Sequence, residues 1–300
     1  VIRPCILLIA VSSLLLKGCE QARPVVTDQA QYVRSVEDWR QERLERLKGE
    51  NGWLNLAGLF WLEEKENSFG SDPANDLVFP GKAAPFCGTL TLKDGKVTLN
   101  VIEGAGILIE ERPVDSLVLK DDQSPGTTIV RQGDLSWNVI RRGEKFGIRL
   151  RDYRHPRIEG LDHIPAYPVD PEYVVEATLL PFSQPRSMSV ATPVDGLSET
   201  FECPGELHFR LLRKELVLYP FTSERGYFLV FADETTGLET YGAGRFLYAD
   251  PDSTGRILLD FNKAYNPPCA FSPFATCPMP PKENFLKVAI RAGEKAVHLD

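Results

Sequence analysis

Apolar positions along this chain keep two different rhythms. Between Val36 and Lys48 they recur at helical spacing, with Val36, Trp39, Leu44 and Leu47 on one face and Glu37, Asp38, Gln41, Glu42 and Glu45 mostly elsewhere. Ser35 is placed to cap the start of this helix and Gly49 to end it. The stretch WLNLAGLFWLEE that follows is aromatic and apolar, suited to a buried strand or turn that pins the helix to the body. From Asn67 onward the period drops to two. TLTLKDGKVTLNV alternates and turns at Asp94-Gly95, a strong hairpin signal. Short strand-like runs continue at GILIEERPV, SLVLKDD, GTTIVRQ, LSWNVIRRG and KFGIRLRD, spaced by Gly, Pro and Asp.

Residues 155–172 are proline-rich and without period, and they read as a seam. Strand patterns then resume at YVVEATLL, GELHFRLL, KELVLYP, GYFLVFAD, GRFLYAD and RILLDFN, and close with FLKVAIRAGE. The cadence predicts a mainly β protein: an N-terminal helix followed by two antiparallel β-sandwich or barrel-like modules. The expected layout is a signal at 1–18, a tether at 19–35, helix and apolar connector at 36–66, a first module at 67–154, the seam, and a second module at 173–300.

The start of the chain changes where the protein is expected to work. VIRPCILLIAVSSLLLKG has a basic residue, an apolar run and a small residue, the layout of a secretory signal too short to span a bilayer comfortably. It ends LLKGCE, so Leu16, Gly18 and Cys19 resemble a bacterial lipobox, with Lys17 departing from the usual small or apolar residue. That resemblance implies acylation of Cys19 and a partner in the lipid bilayer. The formal charge of −8 becomes −10 when Arg3 and Lys17 leave with the signal. An acidic exported chain without a basic run argues against nucleic acid and against electrostatic docking on anionic lipid. Four cysteines remain, Cys87, Cys203, Cys269 and Cys277, and three pairings are open. The near pair Cys269 and Cys277 is the easiest disulfide to close, with buried thiols as the alternative.

Candidate chemistry is sparse. There is no G-x-S-x-G elbow, H-E-x-x-H, phosphate loop or dinucleotide fingerprint after a strand, and no cofactor is expected. His155, Asp162 and His163 share the seam, yet ordinary solvated histidines explain them better than a metal. The best polar cluster is Asp233, Tyr241, Arg245, Asp260, Asn262, Tyr265 and Asn266. Strand alternation puts Asp260 and Asn262 on one face if the strand persists through Asn262, and Tyr241 and Arg245 on one face unless Gly242 and Gly244 bulge the strand. Such a set either forms an internal network or lines a pocket in which Arg245 grips a carboxylate or phosphate. The expected function is a non-catalytic envelope protein binding a small polar or anionic ligand, or a partner. The alternative is a hydrolase of envelope glycan or ester using Asp233 and Asp260.

The block DFNKAYNPPCAFSPFATCPMPPKENFL, together with GWLNLAGLFWLEE, FGSDPANDLVFP and ETYGAGRFLY, resembles the bacterial domain-of-unknown-function family 1684 from about Trp39 to Lys295. The resemblance implies an identity and no activity. The first half also resembles a forkhead-associated domain, a β-sandwich that reads phosphothreonine, through Asn75-Asp76-Leu77-Val78-Phe79. Ser71 stands where that fold carries a phosphate-contacting arginine, Ala84 and Cys87 stand at its Ser and His positions, and Glu110-Glu111 replaces its Asn-Gly. What the resemblance implies is therefore the fold without the phosphopeptide activity.

Overall fold

Alternation becomes sheet at the expected hairpin. Asp94 (φ 49°) and Gly95 (φ 70°) take the left-handed conformation of a tight turn and pair Gly88–Lys93 with Lys96–Val101. In the computed structural model, which describes residues 26–298, these strands sit in a five-stranded sheet. Its order is Leu77–Val78, Glu66–Gly70, Gly88–Lys93, Lys96–Val101, Ser116–Leu119. A six-stranded sheet packs on it, ordered Leu56–Trp61, Lys145–Asp152, Leu135–Arg142, Val130–Gln132, Leu108–Ile109, Arg112–Pro113. Their shared core centres on Trp137, whose ring meets Phe69 and Phe79 edge-on at 5.7 and 5.4 Å. The stretch expected to be a connector thus supplies an outer strand of this module, Leu56–Trp61, antiparallel to Lys145–Asp152.

The second module is also two sheets. One runs Lys214–Leu218, Ser198–Leu211, Val174–Ala191, Ile257–Asp260, and the other Phe221–Ser223, Gly226–Asp233, Arg245–Ala249. Leu207, Phe209, Leu229, Phe231, Leu247 and Phe261 fill the space between them. The closing segment is not a full strand. Phe285–Leu286 pairs parallel to Gly226–Asp233, and Glu294 makes a single antiparallel bridge to Ala166. Beyond Leu286 the carbonyls of Ile290, Ala292 and Glu294 turn toward Arg245 instead of a ladder.

The helix, α1 (Gln29–Lys48), begins before the stripe that predicts it. Its cap is Asp28, whose carboxylate accepts from the Gln31 N–H at 2.9 Å, whereas the Ser35 hydroxyl donates back to the Tyr32 carbonyl. Gln29 to Ser35 carry little apolar signal. That turn is secured by a polar contact, the Tyr32 hydroxyl donating to Asp260 at 2.7 Å. Val36, Leu44 and Leu47 are buried as the periodicity requires, Leu44 and Leu47 in a cluster with Leu54, Leu161 and Phe271. In the seam, the helix α2 (Pro156–Gly160) is capped by His155, whose ring nitrogen accepts from the Arg157 N–H. The signal, the lipobox and Cys19 lie outside the described residues.

Candidate functional site

Arg245 opens its strand directly after Gly244, and its side chain and that of Asp233 are both 0 % exposed. One guanidinium nitrogen donates to Asp233 Oδ2 at 2.6 Å and to the Ile290 carbonyl at 3.0 Å. The other reaches the carbonyls of Ala292 and Glu294. Asp233 Oδ1 accepts from the amide and hydroxyl of Thr235 at 2.8 and 2.6 Å. The expectation that Arg245 grips a ligand is therefore corrected. Its Nη groups are spent on the chain's own backbone and one carboxylate, and its Nε is enclosed. The hydrolytic pair fails for the same reason: Asp233 is sealed beneath Arg245, while Asp260 stands elsewhere, against α1.

The remaining candidates divide. Asn262 is fully buried and clamps the seam, donating to the Asp170 carbonyl and the Tyr32 hydroxyl and accepting from the Asp170 N–H. Asn266 is also fully buried, holding Glu294 Oε2 with its N–H and the Lys295 carbonyl with its amide. Both serve the fold. Asp260 and Asn262 do not share a face, because the strand ends at Asp260, which caps a short 3-10 turn at Phe261–Lys263. Nor do Tyr241 and Arg245 sit on one strand face. The Gly244 N–H closes a turn on the Tyr241 carbonyl, and the Tyr241 hydroxyl donates to the Cys269 carbonyl at 3.0 Å. Cys269 and Cys277 are free thiols rather than the expected disulfide. They are hydrogen-bonded neighbours, a contact that lowers the Cys269 thiol and, with burial, drives the Cys277 thiol up.

Two of the seven, Asp260 and Tyr265, do face open space. A cavity of about 850 Å³ lies between α1 and the second module, and both residues line it. The volume is within the roughly 300–1,000 Å³ typical of small-molecule sites. Trp39 and Tyr32 enter from α1, Tyr248 and Leu247 from the strand Arg245–Ala249, and Arg225 from the turn before Gly226–Asp233. Tyr265 is the hub: its ring is 6.4 Å from Trp39, 6.4 Å from Tyr248 and nearly parallel to the latter. The Arg43 guanidinium lies 4.3 Å from the Tyr265 ring centre, and that of Arg225 lies 5.3 Å from Tyr248. Burial pushes the Tyr265 phenol well above its ordinary pKa, with no hydrogen bond contributing, so the hydroxyl stays protonated. Burial, then the Asp260 charge, raises Tyr32 in the same direction.

Charge in this cleft is balanced. Asp28, Glu42, Asp250 and Asp260 face Arg43, Arg46, Arg225 and Lys263. Arg46 pairs with Glu42 at 3.4 Å, Lys263 approaches Asp260 at 3.7 Å, and Arg43 pairs with Glu294. Sequence reasoning missed Trp39, Arg43, Arg225 and Tyr248. Trp39 belonged to the apolar stripe and looked like core. The others are single residues whose convergence depends on how α1 docks.

The fold and this cleft define a mainly β protein with a helix-roofed, aromatic-lined pocket in its second module. The chain belongs to the family described as Protein of unknown function (DUF1684), whose model matches residues 159–295. No curated protein matches it. Among solved structures it is similar to the uncharacterized protein from gene locus rrnAC0354 of Haloarcula marismortui. The two are 35 % identical over 46 % of this chain and 78 % of that one, with a TM-score of 0.39. An FHA domain studied for phosphothreonine-dependent interactions aligns at 15 % identity over 31 % of this chain and 92 % of that one, with a TM-score of 0.22. Mycobacterium tuberculosis EmbR aligns at 11 % identity over 42 % of this chain and 33 % of its own, also at 0.22. Scores this low leave the architecture to be described by its own strand order. At the resembling turn, the Ser71 hydroxyl donates inward to the Ala83 carbonyl at 2.8 Å, and Asn75 is buried against the Asp72 and Pro85 carbonyls.

Proposed function

We propose that this protein is an exported, lipid-anchored envelope protein that binds a small polar or anionic ligand, without catalysis, in the cleft beneath α1. The observation that carries the reading is the cavity itself. Aromatic rings line it beside paired charges, whereas the Arg245–Asp233 pair is enclosed. Aromatic faces contribute contact area at low entropic cost, and a few placed polar groups fix orientation.

The test is a thermal-shift and calorimetric screen of small polar and anionic compounds against the intact protein and a Tyr265→Ala variant. A binder should raise Tm in the intact protein, and Tyr265→Ala should weaken it at least tenfold. A binder unaffected by that variant places the site elsewhere. Anchoring has its own check. Cys19→Ser should move the protein from the membrane fraction to the soluble fraction, and unchanged partitioning would refute acylation at that residue.

A further inference from the structure

Resting on the binding reading above, we infer that the cleft recognises a neutral saccharide of one to three rings, stacked on the Tyr265–Tyr248–Trp39 surface. Three observations converge. First, the aromatic groups are contiguous: Tyr265 is 6.4 Å from each of the other two rings, and Tyr248 is only 16° from parallel to it. Pyranose rings present an apolar face of C–H groups that packs on such a surface, while their hydroxyls point to the rim.

Second, the rim carries donors and acceptors side by side. Asp260 holds the Tyr32 hydroxyl with Oδ1 and has Lys263 3.7 Å from Oδ2, so a carboxylate and an ammonium stand together in the cleft that the rings line. Adjacent hydroxyls of a sugar can donate to the first and accept from the second. Arg225, 5.3 Å from the Tyr248 ring centre, adds a planar donor array to the same cleft.

Third, the charge balance disfavours the other classes. A phosphate or dicarboxylate needs converging cations whose charge is still available. Here Arg46 is held by Glu42, Lys263 lies beside Asp260 and Arg43 is held by Glu294, which leaves Arg225. An acyl chain would have to cover Arg225 and Asp250, which line the cleft without an ion pair among the described residues, with hydrocarbon, at several kcal/mol each. A polyhydroxylated, uncharged ligand meets neither obstacle.

The experiment is calorimetric titration of the full chain with chitotriose and maltotriose, with inorganic phosphate and glutamate as charged comparators. Trp39 lies in the cleft, so its fluorescence should report occupancy, and Trp39→Phe should remove that signal. Saturable binding of at least one trisaccharide is expected, with phosphate and glutamate inert. Tyr248→Ala should weaken it tenfold or more. Tyr248→Phe, which keeps the ring and the fold, should weaken it less than threefold. If neither trisaccharide binds but phosphate or glutamate does, in a manner abolished by Tyr265→Ala, the saccharide class is wrong and the cleft reading survives. If a trisaccharide binds with equal affinity to Tyr248→Ala and Tyr265→Ala, both the stacking surface and the cleft are wrong. If none of the four binds, the saccharide inference fails, and the broader screen decides on the cleft.

Discussion

Arg245→Met is expected to destabilise the protein by about 3–5 kcal/mol, the usual consequence of removing one member of a buried ion pair. The substitution leaves Asp233 charged inside a site with no exposure and strips donors from the carbonyls of Ile290 and Ala292. Against a total stability of roughly 5–15 kcal/mol, that loss moves the urea midpoint far enough to read directly by circular dichroism. Adding Asp233→Leu should return part of it, because the unpaired carboxylate goes while the orphaned carbonyls remain. A single variant within about 1 kcal/mol of the parent would refute the structural role assigned to this pair.

The second large effect is at the neighbouring glycine. Gly244 has φ +79°, and a Cβ there would lie 2.4 Å from Pro280 Cγ and 2.5 Å from the Phe231 carbonyl oxygen. Left-handed backbone alone costs about 1–2 kcal/mol for an L side chain, and the contact with strand backbone adds to it. Gly244→Ala should therefore lose more than about 2 kcal/mol. Gly242 is the control. Its nearest neighbour is Gly237 Cα at 4.0 Å, so Gly242→Ala should stay within about 0.5 kcal/mol. Equal effects at the two positions would mean that Gly244 is not the constrained one.

Much of the fold could be read from the chain because the signals are local. Alternation at Thr89 to Val101 with Asp94-Gly95 fixes a hairpin, and the stripe at Val36, Leu44 and Leu47 fixes the buried face of α1. The first turns of α1 were not legible, since what holds them is Tyr32 reaching Asp260 from far away in sequence. The polar cluster was legible as a list but not as a site. Arg245 and Asp233 are indeed together, yet whether a paired charge faces solvent or backbone depends on where Ile290 to Glu294 run. That segment reads as a strand and does not form one. Asp260 and Tyr265 were singled out as companions of Arg245, whereas their neighbours in the cleft are on α1 and on the strand Arg245–Ala249. Two groups of the Asn-Pro-Pro-Cys block make structural contacts with the turn at 241–244. Pro280 packs against Gly244, and the Cys269 carbonyl takes the Tyr241 hydroxyl.

Glu294 also acts mechanically. Its carboxylate joins Arg43 of α1 to the Asn266 backbone, so one residue near the end of the described chain buckles the first helix to the second module. The helix it fastens is also the roof of the cleft and continues directly into the segment leading toward the chain's start. A pull along that segment would meet α1 first, at its Tyr32–Asp260 contact and then at the Arg43–Glu294 clasp. Both contacts border the cleft, so the pocket's roof and its fastening to the second module are one mechanical unit.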